Sequence, residues 1–223
     1  METVSDLMKL DMTNNNIAEL CGSIAEAPRF SHVGGAEEYL TFPLEIERLS
    51  GALDKINVVA RKADLDALTP DGESKLRVTG EVRSYNNKRG EGSRLVITVL
   101  AKELCFAAYA EDQNVVRLAG VLCKTPTLRK TPMGRQICDV MLAVNRKYGR
   151  SDYLPCIAWG KCAVELASRA VGERVTLTGR IQSRKYIKAT EAGTEERTAF
   201  EVSIVSLDET AETDNSEQIT DNG

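Results

Sequence analysis

Apolar residues in this chain recur mostly with a period of two, in short runs broken by glycine, proline, asparagine or charge. Leu95-Val96-Ile97-Thr98-Val99-Leu100, Val175-Thr176-Leu177-Thr178 and Phe200-Glu201-Val202-Ser203-Ile204-Val205 are such runs. β-branched alternation bounded by turn residues predicts strands. Helical spacing is confined to residues 162–170 and, more weakly, 63–68, each placed between a third and a fourth predicted strand.

The pattern occurs twice. Asn16-Ile17-Ala18-Glu19-Leu20-Cys21-Gly22-Ser23-Ile24 is matched by Asn114-Val115-Val116-Arg117-Leu118-Ala119-Gly120-Val121-Leu122, each a strand with a glycine inside it. Leu76-Arg77-Val78-Thr79-Gly80-Glu81-Val82-Arg83-Ser84 is echoed by Val175-Thr176-Leu177-Thr178-Gly179-Arg180-Ile181-Gln182-Ser183. Two landmarks in the same order, roughly 100 residues apart, imply tandem domains. Five strands with one helix after the third is the order of the OB-fold, a Greek-key barrel. The expected fold is therefore all-β, with OB-folds at 16–111 and 112–208, a flexible leader at 1–15, and an acidic tail at 209–223 too poor in apolar residues to fold.

Charge sharpens this picture. The net charge of −4 divides into −6 over residues 1–114, +11 over 115–190 and −9 over 191–223. A surplus of one sign in a single block points to a polyanionic partner for the second domain. No apolar run is long enough to span a bilayer, and the acidic N-terminus lacks the basic region of a secretory signal, so a cytoplasmic location is expected. The six cysteines sit mostly in apolar strand-like runs without Cys-x-x-Cys spacing, and the one histidine, His32, lies in a loop-like Ser-His-Val-Gly-Gly stretch. Buried reduced thiols and a solvated His32 are expected, with no metal site. Phosphate-cradling and dinucleotide fingerprints are absent from the sequence and its carboxylates are scattered, which argues against an enzyme or a cofactor.

Sequence-tolerant binding of a single strand needs cations for phosphates and flat rings for bases. In the second copy, Tyr153-Leu154-Pro155-Cys156-Ile157-Ala158-Trp159-Gly160-Lys161 reads as a third strand. Alternation puts Tyr153, Ile157, Trp159 and Lys161 on one face and Leu154, Cys156 and Ala158 on the core face. Three basic segments adjoin that face. The first hairpin supplies Lys124, Arg129, Lys130 and Arg135; the next turn supplies Arg146, Lys147, Tyr148 and Arg150; a hairpin closed around Gly193 supplies Arg180, Arg184, Lys185, Tyr186 and Lys188. In the first copy, matching Lys62 to Lys161 sets Ala60 against Trp159 and Asp54 against Tyr153, so both rings are lost. Tyr85, Lys88 and Arg89 offer at most a weak contact, and a structural or interaction role is expected for this domain.

Residues 114–208 resemble the domain of bacterial single-stranded DNA-binding proteins. The likeness rests on Leu118-Ala119-Gly120, Thr125-Pro126, Ser151-Asp152-Tyr153 through Trp159-Gly160-Lys161, the helix with Ala167, and Gly179-Arg180-Ile181-Gln182-Ser183-Arg184-Lys185-Tyr186. It implies that Tyr153, Trp159 and Tyr186 stack on bases, that Lys161, Arg184 and Lys185 contact the backbone, and that two chains pair as a homodimer to supply four OB-folds. The family's acidic tail ends in a hydrophobic tip. Here it reads Gln218-Ile219-Thr220-Asp221-Asn222-Gly223, so recruitment of repair enzymes is not implied. Single-stranded DNA is the expected partner in replication, repair and recombination, with RNA left open because stacking does not read the 2′-hydroxyl. The competing reading is an OB-fold adaptor of a replication, primosome or conjugation complex that acts mainly through protein contacts.

Overall fold

The structure, a computed structural model, describes residues 15–69, 75–87, 95–147, 149–190 and 193–208. The tail, the leader up to residue 14, Lys88, Arg89 and Tyr148 lie outside these residues. The first copy runs β1 (Asn16–Ile24), β2 (Arg29–Gly34), β3 (Glu37–Glu47), β4 (Leu53–Arg61), α1 (Lys62–Asp66), β5 (Lys75–Asn86) and β6 (Leu95–Ala107). The second runs β7 (Gln113–Leu122), β8 (Thr127–Lys130), β9 (Gln136–Asn145), β10 (Ser151–Trp159), α2 (Gly160–Ala167), β11 (Arg174–Thr190) and β12 (Gly193–Leu207).

Both halves are OB barrels of the same topology. Their strand orders, β2-β3-β4-β6-β5-β1 and β8-β9-β10-β12-β11-β7, correspond one to one. In each, the third and fifth barrel strands pair in parallel (β4–β6, β10–β12), and β1–β3 or β7–β9 closes the barrel. The short exposed strands β2 and β8, which pair only with β3 and β9, are an addition to the predicted five. His32, expected in a loop, is in β2 and stacks on Tyr39 with ring centroids 4.8 Å apart.

The repeated glycines are required where backbones approach closely. Gly22 and Gly120 stand where β1 and β7 leave one partner strand to close on another. A Cβ there would lie 2.3 Å from the Glu45 carbonyl oxygen or 2.6 Å from that of Ala143. Gly80 and Gly179 sit at the register shifts of β5 and β11.

Alternation then buries one face. Leu20, Phe42, Leu44, Ile56, Val78 and Ile97 fill the first barrel, and Leu118, Leu142, Leu154, Leu177 and Ile181 fill the second, within one continuous cluster. Helix α2 closes its barrel with Ala163 and Leu166. It begins at Gly160, whose φ of +57° turns the strand into the helix, so Lys161 is a helical residue and not part of the third strand.

The structure also corrects the register between the two copies. Asp54 is buried, bonded by Arg48, and paired across the ladder with Ile46. Its counterpart by every one of these features is Asp152, buried, bonded by Arg146, and paired with Val144. Lys55 therefore stands where Tyr153 does, and Arg61 where Trp159 does. The sequence match slipped by one residue because the second copy has one residue more between its third and fourth barrel strands. A slip of one inverts the faces of a strand. Both rings are still missing from β4, but cations replace them, Lys55 beside Glu45 and Arg61 beside Asp64.

The barrels join about a pseudo-twofold axis. β1 and β7 pair antiparallel, with the equivalent residues Ala18 and Val116 directly opposite. Arg117 and Glu19, also equivalent, meet at 3.2 Å. On either side a serine crosses to the other barrel. Ser183 donates its N–H to Asp54 (2.8 Å) and accepts from the Lys55 N–H through its hydroxyl (3.1 Å). Ser84 reciprocates, donating its N–H to Asp152 and accepting from the Tyr153 N–H (2.8 Å). Arg146 adds a bond to the Ser84 carbonyl (3.1 Å), and the hydrogen bonds that Arg48 donates to Asp54 hold its guanidinium above its ordinary pKa. Asp112, in the link, bonds Lys75 and the Glu47 N–H.

Two stability predictions follow from these contacts. Gly120→Ala should lower unfolding free energy in urea by about 1–3 kcal/mol, because backbone and not a flexible side chain must move. Asp152→Ala should cost about 3–5 kcal/mol by stranding Arg146 and the Ser84 N–H. A loss below about 1 kcal/mol in the same titration would mean that the corner is not energetically coupled to the fold.

Candidate nucleic-acid interface

On β10 the core face takes Asp152, Leu154, Cys156 and Ala158, and the outer face takes Tyr153, Pro155, Ile157 and Trp159. Tyr153 is 53% exposed and Trp159 43%, large fractions for rings with an apolar alternative available on the same strand. Ile157, expected beside them, is on the outer face but buried. The ladder extends this surface sideways: Trp159 is opposite Ile137, which is opposite Arg129, so a cation, an aliphatic residue and a ring lie in one row across β8, β9 and β10. Ile137 is buried yet stands outside the barrel core, a small apolar bed beside the ring.

The cations divide into two groups. Lys124, Lys130, Arg135, Lys147, Arg150, Lys161, Arg180, Arg184 and Lys185 are exposed. Arg146 is turned inward to Asp152 and Ser84, where it serves the barrel junction. Arg129 is exposed but held by Asp139, and the hydrogen bond it donates to that carboxylate raises its guanidinium pKa. Tyr186 is half-buried on the β11–β12 hairpin opposite Arg197, and the backbone of Lys188 is laddered there with that of Glu195. Among the cysteines, Cys21, Cys138 and Cys156 are buried, and burial pushes all three thiols up; Cys123 and Cys162 are half-buried, while Cys105 is exposed.

The first barrel also exposes rings. Its Phe30 is 64% exposed and its Tyr85 55%. Tyr85 follows Ser84 at the crossing and lines a cleft with Tyr153 of the second barrel. The repeated Arg-x5-Asp spacing, Arg48 to Asp54 and Arg146 to Asp152, was the available signal for that crossing. Among the described residues no group of three or more His, Cys, Asp or Glu side chains is placed to hold a metal, and no helix is long and apolar enough to cross a membrane.

Comparison with known proteins agrees with this geometry. The sequence model of the single-strand binding protein family matches residues 113–208, the whole second barrel. Single-stranded DNA-binding protein B of Bacillus subtilis is 40% identical over 80 residues, which are 33% of this chain and 71% of that protein. Single-stranded DNA-binding protein 1 of Lactococcus lactis is 38% identical over 80 residues, 33% of this chain and 53% of its own length. The fold extends further than the sequence likeness. The wild-type single-stranded DNA binding protein of Thermus aquaticus superposes with a TM-score of 0.68 at 20% identity, covering 86% of this chain and 91% of that one. A deletion mutant of it gives 0.69 at 21%, covering 91% and 98%. The barrel that carries Tyr153, Trp159 and Tyr186 is the matched stretch, and by that match the chain belongs to the single-strand binding protein family.

Proposed function

We propose that the chain binds single-stranded DNA without catalysis and with little sequence preference, mainly through the outer face of the second barrel. The observation that carries this reading is the half-exposure of Tyr153 and Trp159 on one face of β10 while the opposite face is sealed in the core. Rings held rigidly by a strand stack on any base, since every base has a π-face. The exposed cations on the β8–β9 hairpin, the β9–β10 turn and the β11–β12 hairpin track phosphates around them. The net charge of +11 over residues 115–190 supports the same partner. The first barrel, with cations at the two ring positions already paired to carboxylates, contributes mainly structure and the junction. Two chains pair as a homodimer in this reading, bringing four barrels together.

Trp159 is the chain's one tryptophan, so its emission reports on the face directly. Oligo(dT) should quench it, and Trp159→Ala should weaken binding by roughly 1–3 kcal/mol. Binding detected by anisotropy with unchanged emission would move the strand off β10. Retention of affinity at physiological salt separates this reading from an adaptor that works through protein contacts.

Affinity should also fall steeply with salt, through counterion release of about 0.7 per phosphate contact on a single strand. Replacing Lys130 and Arg135 with alanine should flatten the slope of log K against log salt by up to about 1.4. An unchanged slope would place the phosphates away from the β8–β9 hairpin.

A further inference from the structure

The crossing of the two barrels occurs twice, but its two corners are not chemically alike. At one, Ser183 reaches Asp54, and the residues that follow each, Arg184 and Lys55, are cations. At the other, Ser84 reaches Asp152, and the equivalent residues are Tyr85 and Tyr153. These two tyrosines come from different barrels, are each about half exposed, and line one open cleft of about 450 Å³ together with Leu95 and Met141. The Tyr153 N–H bond to the Ser84 hydroxyl ties the two segments at their root, so the rings are positioned by the junction and not by a loose loop.

We infer that this cleft is a base-binding subsite shared between the barrels, and that it leads a bound single strand from the second barrel onto the first. Its ligand is one planar base of a single-stranded polynucleotide. The inference rests on the reading of β10 as the stacking face, of which Tyr153 is one end. Ser84, Tyr85 and Asn86 also line a larger groove of about 950 Å³ on the first barrel, together with Asn57, Val59 and Arg29. Arg83 and Arg146 also border that groove, but both are engaged by Asp152. The path onto the first barrel is therefore built from rings and polar groups more than from cations. The subsite should contribute stacking without adding to the salt dependence.

The test uses the full chain and oligo(dT) of about 30 nucleotides, longer than one OB barrel holds. Tyr85→Ala should weaken binding by about 5- to 50-fold with an unchanged salt slope, while Tyr85→Phe, which keeps the ring, should bind as the parent does. Because both rings serve one base, Tyr85→Ala with Tyr153→Ala should lose less than the product of the two single losses. Thermal unfolding of each variant should match the parent, Tyr85 being an exposed side chain. Parental affinity of Tyr85→Ala beside a weakened Trp159→Ala overturns the shared subsite and leaves the functional reading standing. Losses that simply multiply overturn the sharing of one base. Parental affinity of both Tyr85→Ala and Trp159→Ala overturns the functional reading, and the subsite with it.

Discussion

Two carboxylates out of contact with solvent hold this molecule in its shape. Asp54 and Asp152 are fully buried, and a buried anion persists only when its charge is matched and its lone pairs are filled. Each is matched by the arginine six positions before it, across the turn that precedes the third barrel strand. Each is completed by a serine of the other barrel. The requirement of one barrel is thus met by the other. Together with the antiparallel ladder of β1 and β7, that exchange sets the axis between them and brings Tyr85 and Tyr153 to one cleft.

The same scaffold carries opposite surfaces on its two halves. Inward residues on β4 and β10 are nearly interchangeable, Asp54, Ile56, Val58 and Ala60 against Asp152, Leu154, Cys156 and Ala158. Outward residues have diverged at the ring positions, with Lys55 and Arg61 against Tyr153 and Trp159, although Val59 and Ile157 remain alike. Packing constrains the inner face of a strand and leaves the outer one free, so a duplicated barrel can be re-tasked without being rebuilt.

Much of this was readable from the chain because it is encoded locally. The glycines of β1 and β7 announced the repeat, and alternation on β10 separated Leu154, Cys156 and Ala158 from Tyr153 and Trp159. Three features were not readable. The register of β4 depended on one residue gained between the third and fourth barrel strands of the second copy, which shifts no hydrophobic pattern within either strand. The inward turn of Arg146 depended on Asp152 being buried, and a polar residue at an inward position reads as an error until its partner is known. The cleft that Tyr85 and Tyr153 line joins residues 68 positions apart in different domains, and no periodicity within either could reveal it.

The pair of Glu19 and Arg117 gives the chain a sense of which half is which. These residues occupy equivalent places on either side of the pseudo-axis and meet at 3.2 Å, partly exposed, so their attraction adds little to stability. Their value lies in what they disfavour. Two first barrels joined in the same way would bring glutamate against glutamate, and two second barrels arginine against arginine, each a repulsion between neighbouring strands. Identical subunits around a true twofold could not carry opposite charges at one position. Two barrels in one polypeptide are free of that symmetry constraint, and the opposite charges at this junction favour a first barrel against a second one.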